Sequence, residues 1–380
     1  MNMEKRTYLA SPHMSDEGYE KEYIKEAFDK NWIAPVGENI DKLEEDLQKY
    51  LEVKAAIALN SGTSAIHMAL KAAGVTKGDI VLCQSLTFIA TVNPVIYQNA
   101  IPVFIDSEEQ TYNMSPECLE KALEKYPNSK AVIVTHLYGT PAKMDEIVQI
   151  CKKHNVPLIE DACESLGSLY REKYTGTFGD YAAFSFNGNK IITTGGGGAL
   201  VTNNEEKAEK IRYWSTQARE KAIYYEHKEI GYNYRLGNIP AGIGRGQLKV
   251  LNKRIQKKKE IYELYKKEFE RHSLIEIPTM SNDIQPNYWL STLKLKNIDK
   301  VKPIDIINEL AKNKIEARPI WKPMHMQPVF KNNVYISNPN KDISKDIYDK
   351  GMCLPSDTNM TIQEQQLVIN IIKELIKNYV

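Results

Sequence analysis

The chain has 380 residues, 42% of them hydrophobic and 26% charged, and a formal net charge of +1. That balance supplies no global field for nucleic acid, and no apolar run approaches the length of a membrane span. Cys83, Cys118, Cys151, Cys163 and Cys353 are widely spaced and form no C-x-x-C pair, which argues for free thiols in a reducing cytoplasm over a disulfide framework or a zinc site.

The N-terminal stretch MNMEKRTYLASPHMSDEG lacks the apolar core of a signal peptide. Ile40, Leu43, Leu47 and Leu51 then recur at helical spacing, predicting an amphipathic helix before the first strand. From residue 55 to about 203, short apolar runs alternate with helical patterns. The runs are AAIALN (55–60), DIVLCQ (79–84), IPVFIDS (101–107), KAVIVTHL (130–137), VPLIEDA (156–162), YAAFSF (181–186) and GALVTN (198–203). Near-continuous apolar strands separated by helices predict an α/β fold with a mostly parallel sheet covered on both faces. Ligands on such sheets bind beyond the carboxyl ends of the strands.

Leu248, Leu251, Ile255, Tyr262, Tyr265 and Phe269 predict one long helix, with the basic run NKRIQKKKE on its solvated side. The remainder reads as a small α+β unit with strands at 288–295 and 316–321 and helices at 302–314 and 362–378. The expected division is a large domain over 1–245, then a linking helix and small C-terminal domain over 246–380. GIGRG (242–246) follows no strand and is a poor dinucleotide fingerprint. His13, His67, His136, His227 and His325 show no metal-ligand spacing, and His67 reads as a core residue, so no metal is expected.

Chemistry concentrates after the strands. In NSGTSAIHMAL, Ser61, Gly62 and Thr63 open a helix, as either a phosphate site or a plain N-cap. Asp161 ends an apolar strand, and Phe88 in SLTFIA is either core or a flat stacking surface at the start of a helix. Lys190 in FSFNGNKIITTGGGGAL has no charged sequence neighbour for several residues and precedes Gly195, Gly196, Gly197 and Gly198. A phosphate cradle, an acid, an aromatic plate and an isolated lysine together suit pyridoxal 5'-phosphate (PLP): Lys190 for the aldehyde, Asp161 for the ring nitrogen and Phe88 for the ring face. An environment free of carboxylates and poor in water is expected around Lys190, because it favours the neutral amine that attacks an aldehyde. The glycines are expected either to let backbone pass close to cofactor and substrate or to form an ordinary turn.

The chain resembles the DegT/DnrJ/EryC1/StrS nucleotide-sugar aminotransferases, which have the fold type I architecture of PLP-dependent enzymes. The resemblance runs from NWIAPVGENIDKLEEDLQKYL through NSGTSAIHMAL, THLYGTPAKMDEI, IEDACESLGS, GTFGDYAAFSFNGNKIITTGGGGAL and GYNYRLGNIPAGIG to ARPIWKPMH. It implies that Lys190 is the Schiff-base lysine and Asp161 the ring partner. It places Glu164 at the cofactor's phenolic oxygen and Gly62, Thr63 and Ser185 at its phosphate. It implies a homodimer with composite sites, in which Asn233 reaches the phosphate of the other subunit. Asn187 stands where many members carry His, which leaves its role open. SFNGNKIITT, SPHM, YWSTQARE and RPIWKPMH are similar to the 4-aminotransferase branch of the UDP-N-acetylbacillosamine pathway. That branch implies glutamate as amino donor and a UDP-linked 4-keto-6-deoxy-N-acetylhexosamine as acceptor. Lys322, His325 and Arg235 are candidates either for the sugar nucleotide's diphosphate or for ordinary surface positions. Another UDP, dTDP or GDP keto-sugar, or a PLP-binding regulatory protein, are the competing expectations.

Overall fold

The structure, a computed structural model, describes residues 6–296 and 300–377. Fifteen strands among them are β1 (Ala55–Leu59), β2 (Ile80–Gln84), β3 (Ile101–Ile105), β4 (Ala131–Thr135), β5 (Leu158–Asp161), β6 (Leu169–Tyr170), β7 (Lys173–Tyr174), β8 (Tyr181–Ser185), β9 (Gly198–Thr202), β10 (Ile275–Glu276), β11 (Ile284–Gln285), β12 (Ser291–Leu295), β13 (Arg318–Pro319), β14 (Tyr335–Ile336) and β15 (Gly351–Leu354). The helices are α1 (Tyr19–Asp29), α2 (Glu38–Leu51), α3 (Gly62–Ala72), α4 (Asn93–Tyr97), α5 (Pro116–Lys125), α6 (Met144–Lys153), α7 (Glu205–Ser215), α8 (Asn238–Lys249), α9 (Leu251–Phe269), α10 (Pro303–Lys312), α11 (Ile343–Lys350) and α12 (Ile362–Lys377).

Eight strands form the main sheet in the order β1-β9-β8-β5-β4-β2-β3-β14. β9 pairs antiparallel with both β1 and β8. The pairs β8–β5, β5–β4, β4–β2, β2–β3 and β3–β14 are parallel. Helices cover both faces: α3 and α7 pack one apolar cluster with Ile57, Ile133, Ile159 and Leu200, and α5 and α6 another with Val132, Val134 and Leu158. Burial on both sides is why these strands read as unbroken apolar runs.

α2 buries Ile40, Leu43, Leu47 and Leu51 as its periodicity requires. The helix expected as one piece from Leu248 to Phe269 breaks at Val250, whose φ −106° and ψ 6° end α8 before α9 begins. The GIGRG glycines lie in α8 and permit close helix contact. A Cβ on Gly246 would meet the Glu20 backbone nitrogen at 2.6 Å, and one on Gly242 would meet Asn39 Nδ2 at 2.8 Å.

A four-stranded antiparallel sheet, β10-β12-β15-β13, packs with α9, α10 and α12 around Tyr265, Phe269, Leu293, Leu354 and Ile372. The chain does not stay there. Met324 and Phe330 rejoin the main core, and β14 hydrogen-bonds to β3 at the sheet edge. Residues 324–336 thus add to the main core and, through β14, to its sheet, although they follow residue 245 by far.

Candidate active site

β1 delivers the chain to the start of α3. Ser61 is the N-cap, its Oγ accepting the Ser64 N–H at 3.0 Å. The Gly62 and Thr63 N–H groups, in the first turn, have no intrahelical acceptor, and both residues line a cavity of about 410 Å³. Ser61 is therefore a cap, and the positive end of α3 beside it is open to an anion. A Cβ on Gly62 would come within 2.5 Å of Cys163 Sγ and 3.2 Å of the Ser185 Cβ, so the ends of β5 and β8 press against the helix start here.

Asp161, the last residue of β5, is 5% exposed. Its Oδ2 accepts the Thr91 hydroxyl at 2.6 Å and its Oδ1 the Cys163 N–H at 3.2 Å. Glu164 is equally enclosed, and its Oε2 accepts the Tyr138 N–H at 2.6 Å. Lys190 Nζ lies 3.7 Å from Glu164 Oε1 and 4.2 Å from the centre of the Trp289 ring. The carboxylate-free environment expected around Lys190 is thus corrected: sequence neighbours contain no acid, but the fold brings one from the turn after β5. Burial pushes the Glu164 carboxyl up to about 7, against the pull of the Lys190 charge.

Phe88 precedes a single 3-10 turn, Ile89–Thr91, rather than opening an α-helix. Half exposed, it lines the Lys190 cavity with its ring 5.2 Å from that of Trp321. Ser185 and Asn187 line the same cavity, and Ser185 Oγ accepts the Asn187 N–H at 3.3 Å. One space therefore joins Gly62, Thr63, Phe88, Asp161, Glu164, Ser185 and Lys190.

The glycine run divides by position. Gly195 has φ +82°, a left-handed turn, whereas a Cβ on Gly198 would strike the Ser61 carbonyl carbon at 2.5 Å and the Gly62 nitrogen at 2.6 Å. Gly196 lines the cavity with open space where its Cβ would be.

Four candidates lie elsewhere. Lys322 lines an adjoining cavity of about 560 Å³ that shares Asn189, Trp289 and Trp321 with the first. His325 is held by its neighbours. Its Nδ1 meets Ser85 Oγ at 2.7 Å, its Nε2 meets Asp342 Oδ2 at 3.2 Å, and its ring stacks on Tyr335 at 3.7 Å. Arg235 is likewise paired: its guanidinium donates to buried Glu44 Oε1 at 2.8 Å, the same carboxylate that pairs with Arg212 at 2.7 Å. Asn233 is exposed and lines a separate cavity of about 680 Å³ together with Val36, Arg219, Ile223 and Arg235. Sequence reasoning missed Trp289, Trp321, Tyr138, Cys163 and Thr91. The tryptophans stand in YWLS and RPIWKPMH, where two large aromatics beside strand signals were the available clue.

These residues fit a phosphorylated cofactor with a cationic ring and an aldehyde. A helix start with unshared N–H groups suits its phosphate, Asp161 its ring cation, and a sheltered lysine its carbonyl.

Known proteins agree. A family model for the DegT/DnrJ/EryC1/StrS aminotransferases matches residues 15–373. EpsN of Bacillus subtilis (strain 168), assigned as a pyridoxal phosphate-dependent aminotransferase, is 50% identical over 98% of this chain and 96% of its own. The GDP-perosamine synthase of Escherichia coli O157:H7 is 37% identical over 94% of this chain and 95% of its own. A UDP-4-amino-4,6-dideoxy-N-acetyl-beta-L-altrosamine transaminase of Campylobacter jejuni (strain 81-176) is 33% identical, covering 92% of this chain and 94% of its own. The crystal structure of a DegT/DnrJ/EryC1/StrS aminotransferase from Brucella abortus superposes with a TM-score of 0.86 at 26% identity, over 94% of this chain and 95% of that one. This chain belongs to the DegT/DnrJ/EryC1/StrS aminotransferase family and is a PLP-dependent α/β enzyme.

Proposed function

We propose that the protein moves the amino group of glutamate to the keto carbon of a UDP-linked 4-keto-6-deoxy-N-acetylhexosamine. The observation that carries the catalytic part is the meeting of Lys190, Asp161 and Glu164 in one cavity beside the start of α3. When bound, PLP supplies an electrophilic carbon and an electron-withdrawing ring. Lys190 holds it and, once displaced, moves the proton at the reacting carbon as general acid–base. Asp161, oriented by Thr91 and the Cys163 N–H, keeps the ring nitrogen protonated. Gly62, Thr63 and Ser185 take the phosphate, Phe88 covers the ring face, and Glu164 faces the phenolic oxygen.

The 4-amino product is supported by the C. jejuni relative's name, and UDP by that name together with the motifs SPHM, YWSTQARE and RPIWKPMH. The 37% identity to a GDP-perosamine synthase favours a second reading, a GDP-linked keto-sugar. A panel of UDP-, GDP- and dTDP-linked keto-sugars, incubated with glutamate and read by mass spectrometry, decides between them. A preference for a sugar without the acetamido group would overturn the first reading.

The enzyme works as a homodimer, with Asn233 serving the partner's phosphate. Support comes from exposed Val36 and Ile223, which line the Asn233 cavity, and from exposed Tyr224, Tyr225 and Ile230 in the segment between Ile223 and Asn233. Apolar surface of this kind marks a protein interface. Five free cysteines suit a cytoplasmic location.

A further inference from the structure

After β4 the chain turns through Leu137–Gly139, and Tyr138 sits there at φ 55° and ψ 22°. This left-handed conformation is disfavoured for an aromatic residue, and such outliers gather at functional sites. The turn is also locked. A Cβ on Gly139 would strike Asn287 Oδ1 at 2.0 Å. Asn287 in turn donates to the Glu164 carbonyl at 2.8 Å and accepts the Trp289 N–H at 2.9 Å.

Both ends of Tyr138 reach the candidate site. Its N–H donates to Glu164 Oε2 at 2.6 Å, and its hydroxyl accepts the backbone N–H of Trp321 at 3.0 Å. Its ring, 3% exposed, lies 4.9 Å from the Trp321 ring. Trp321 is a wall shared by the Lys190 cavity and the adjoining cavity that contains Lys322. Glutamate is small enough to sit wholly beside Lys190. A nucleotide sugar is not, and the cavity beyond that shared wall has room for the part that Lys190 does not hold.

We propose that Tyr138 is a positioning residue for the nucleotide-sugar half of the reaction: one side chain and its own backbone fix the Trp321 indole and the Glu164 carboxylate relative to each other. The proposal rests on the aminotransferase reading above. It predicts a selective defect, because loss of the hydroxyl frees the Trp321 segment and leaves the N–H bond to Glu164 intact.

The test is Tyr138→Phe, which keeps the ring and backbone, alongside Trp321→Ala, Trp321→Phe and the double variants with Tyr138→Phe. KM for the keto nucleotide sugar should rise about tenfold in Tyr138→Phe, the scale of one lost hydrogen bond, with KM for glutamate changed less than about twofold. Because the hydroxyl acts through Trp321, Tyr138→Phe should add nothing in the Trp321→Ala background. Independently of turnover, acrylamide should quench Trp321 more strongly in Tyr138→Phe, taking the Trp321 signal as the difference between chains with and without that indole. Additive KM effects, an equal rise in KM for both substrates, or unchanged quenching would each overturn the proposal. Wild-type protein that aminates no keto nucleotide sugar would instead sink the functional reading on which it rests.

Discussion

Lys190 Nζ and Glu164 Oε1 stand 3.7 Å apart although 26 positions separate them in sequence, and Tyr138 holds the other Glu164 oxygen. The lysine that looked isolated in the sequence has an enclosed acid as its neighbour. Burial pushes that carboxyl well above the usual carboxylate range, so its charge is a variable of the site.

Glu164 rises from 4.5 to about 7, chiefly through burial. A raised folded-state value means the protonated acid is favoured in the native protein. Its contribution to stability is complete below pH 4.5 and is lost as pH climbs through about 7. Denaturant unfolding of cofactor-free protein should therefore show wild type losing ground to Glu164→Gln over this window, by roughly 3 kcal/mol in total. A constant difference between the two proteins would contradict the burial effect.

Asp161→Asn should keep the fold yet weaken it by about 1–2 kcal/mol, because the Thr91 hydroxyl and the Cys163 N–H bond to different carboxylate oxygens and the amide puts an NH2 donor in place of one of them. PLP should still bind, seen by its absorbance after gel filtration. Transamination should fall by about 10²-fold or more, since a neutral amide cannot keep the ring nitrogen protonated. Near-normal turnover would remove Asp161 from its proposed role.

Neighbouring glycines should respond differently to the same methyl group. Gly198→Ala forces a Cβ into the backbone at Ser61 and Gly62 and should cost about 1–3 kcal/mol of stability. Gly196→Ala meets nothing within 4 Å and should unfold like wild type. Its effect should appear in PLP or substrate affinity, because Gly196 lines the cavity. Thermal melts with a PLP titration check both.

Composite sites are tested by mixing. Lys190→Ala and Asn233→Trp should each be nearly inactive alone, and co-refolding equal amounts makes about half the dimers mixed. If Asn233 serves the partner, each mixed dimer has one whole site and activity returns to about a quarter of wild type. If Asn233 serves its own chain, no site escapes a defect and mixing restores nothing.

The seven main-sheet strands between residues 55 and 203 were legible because they are buried on both faces and read as apolar runs, whereas β6 and β7, two residues each and partly exposed, left no such run. Strand direction was not: nothing in GALVTN distinguishes antiparallel β9 from its parallel neighbours. The break at Val250 was hidden because the apolar period continues across it. Lys190, Asp161 and the start of α3 announced themselves as unusual residues at strand ends. The partners of Arg235 and His325 were hidden, since Glu44, Asp342 and Ser85 lie 191, 17 and 240 positions away. A charged side chain looks available until the acid that occupies it is found in space. Trp289 and Trp321 were passed over for the opposite reason, as apolar residues whose exposure to the cavity has no period.

The return of the chain to β14 has a practical side. Phe104 and Asp106 donate their N–H groups to Val334 O at 2.9 Å and Ile336 O at 3.0 Å, and the Phe104 ring packs edge-on against Phe330. A fragment cut anywhere between residues 250 and 330 would strip this cover and leave β3 as a bare, apolar edge strand, a template for intermolecular pairing. The gene therefore cannot be split there into two independently soluble pieces. Complementation tags, fusions and domain exchanges need both chain crossings kept within a single polypeptide.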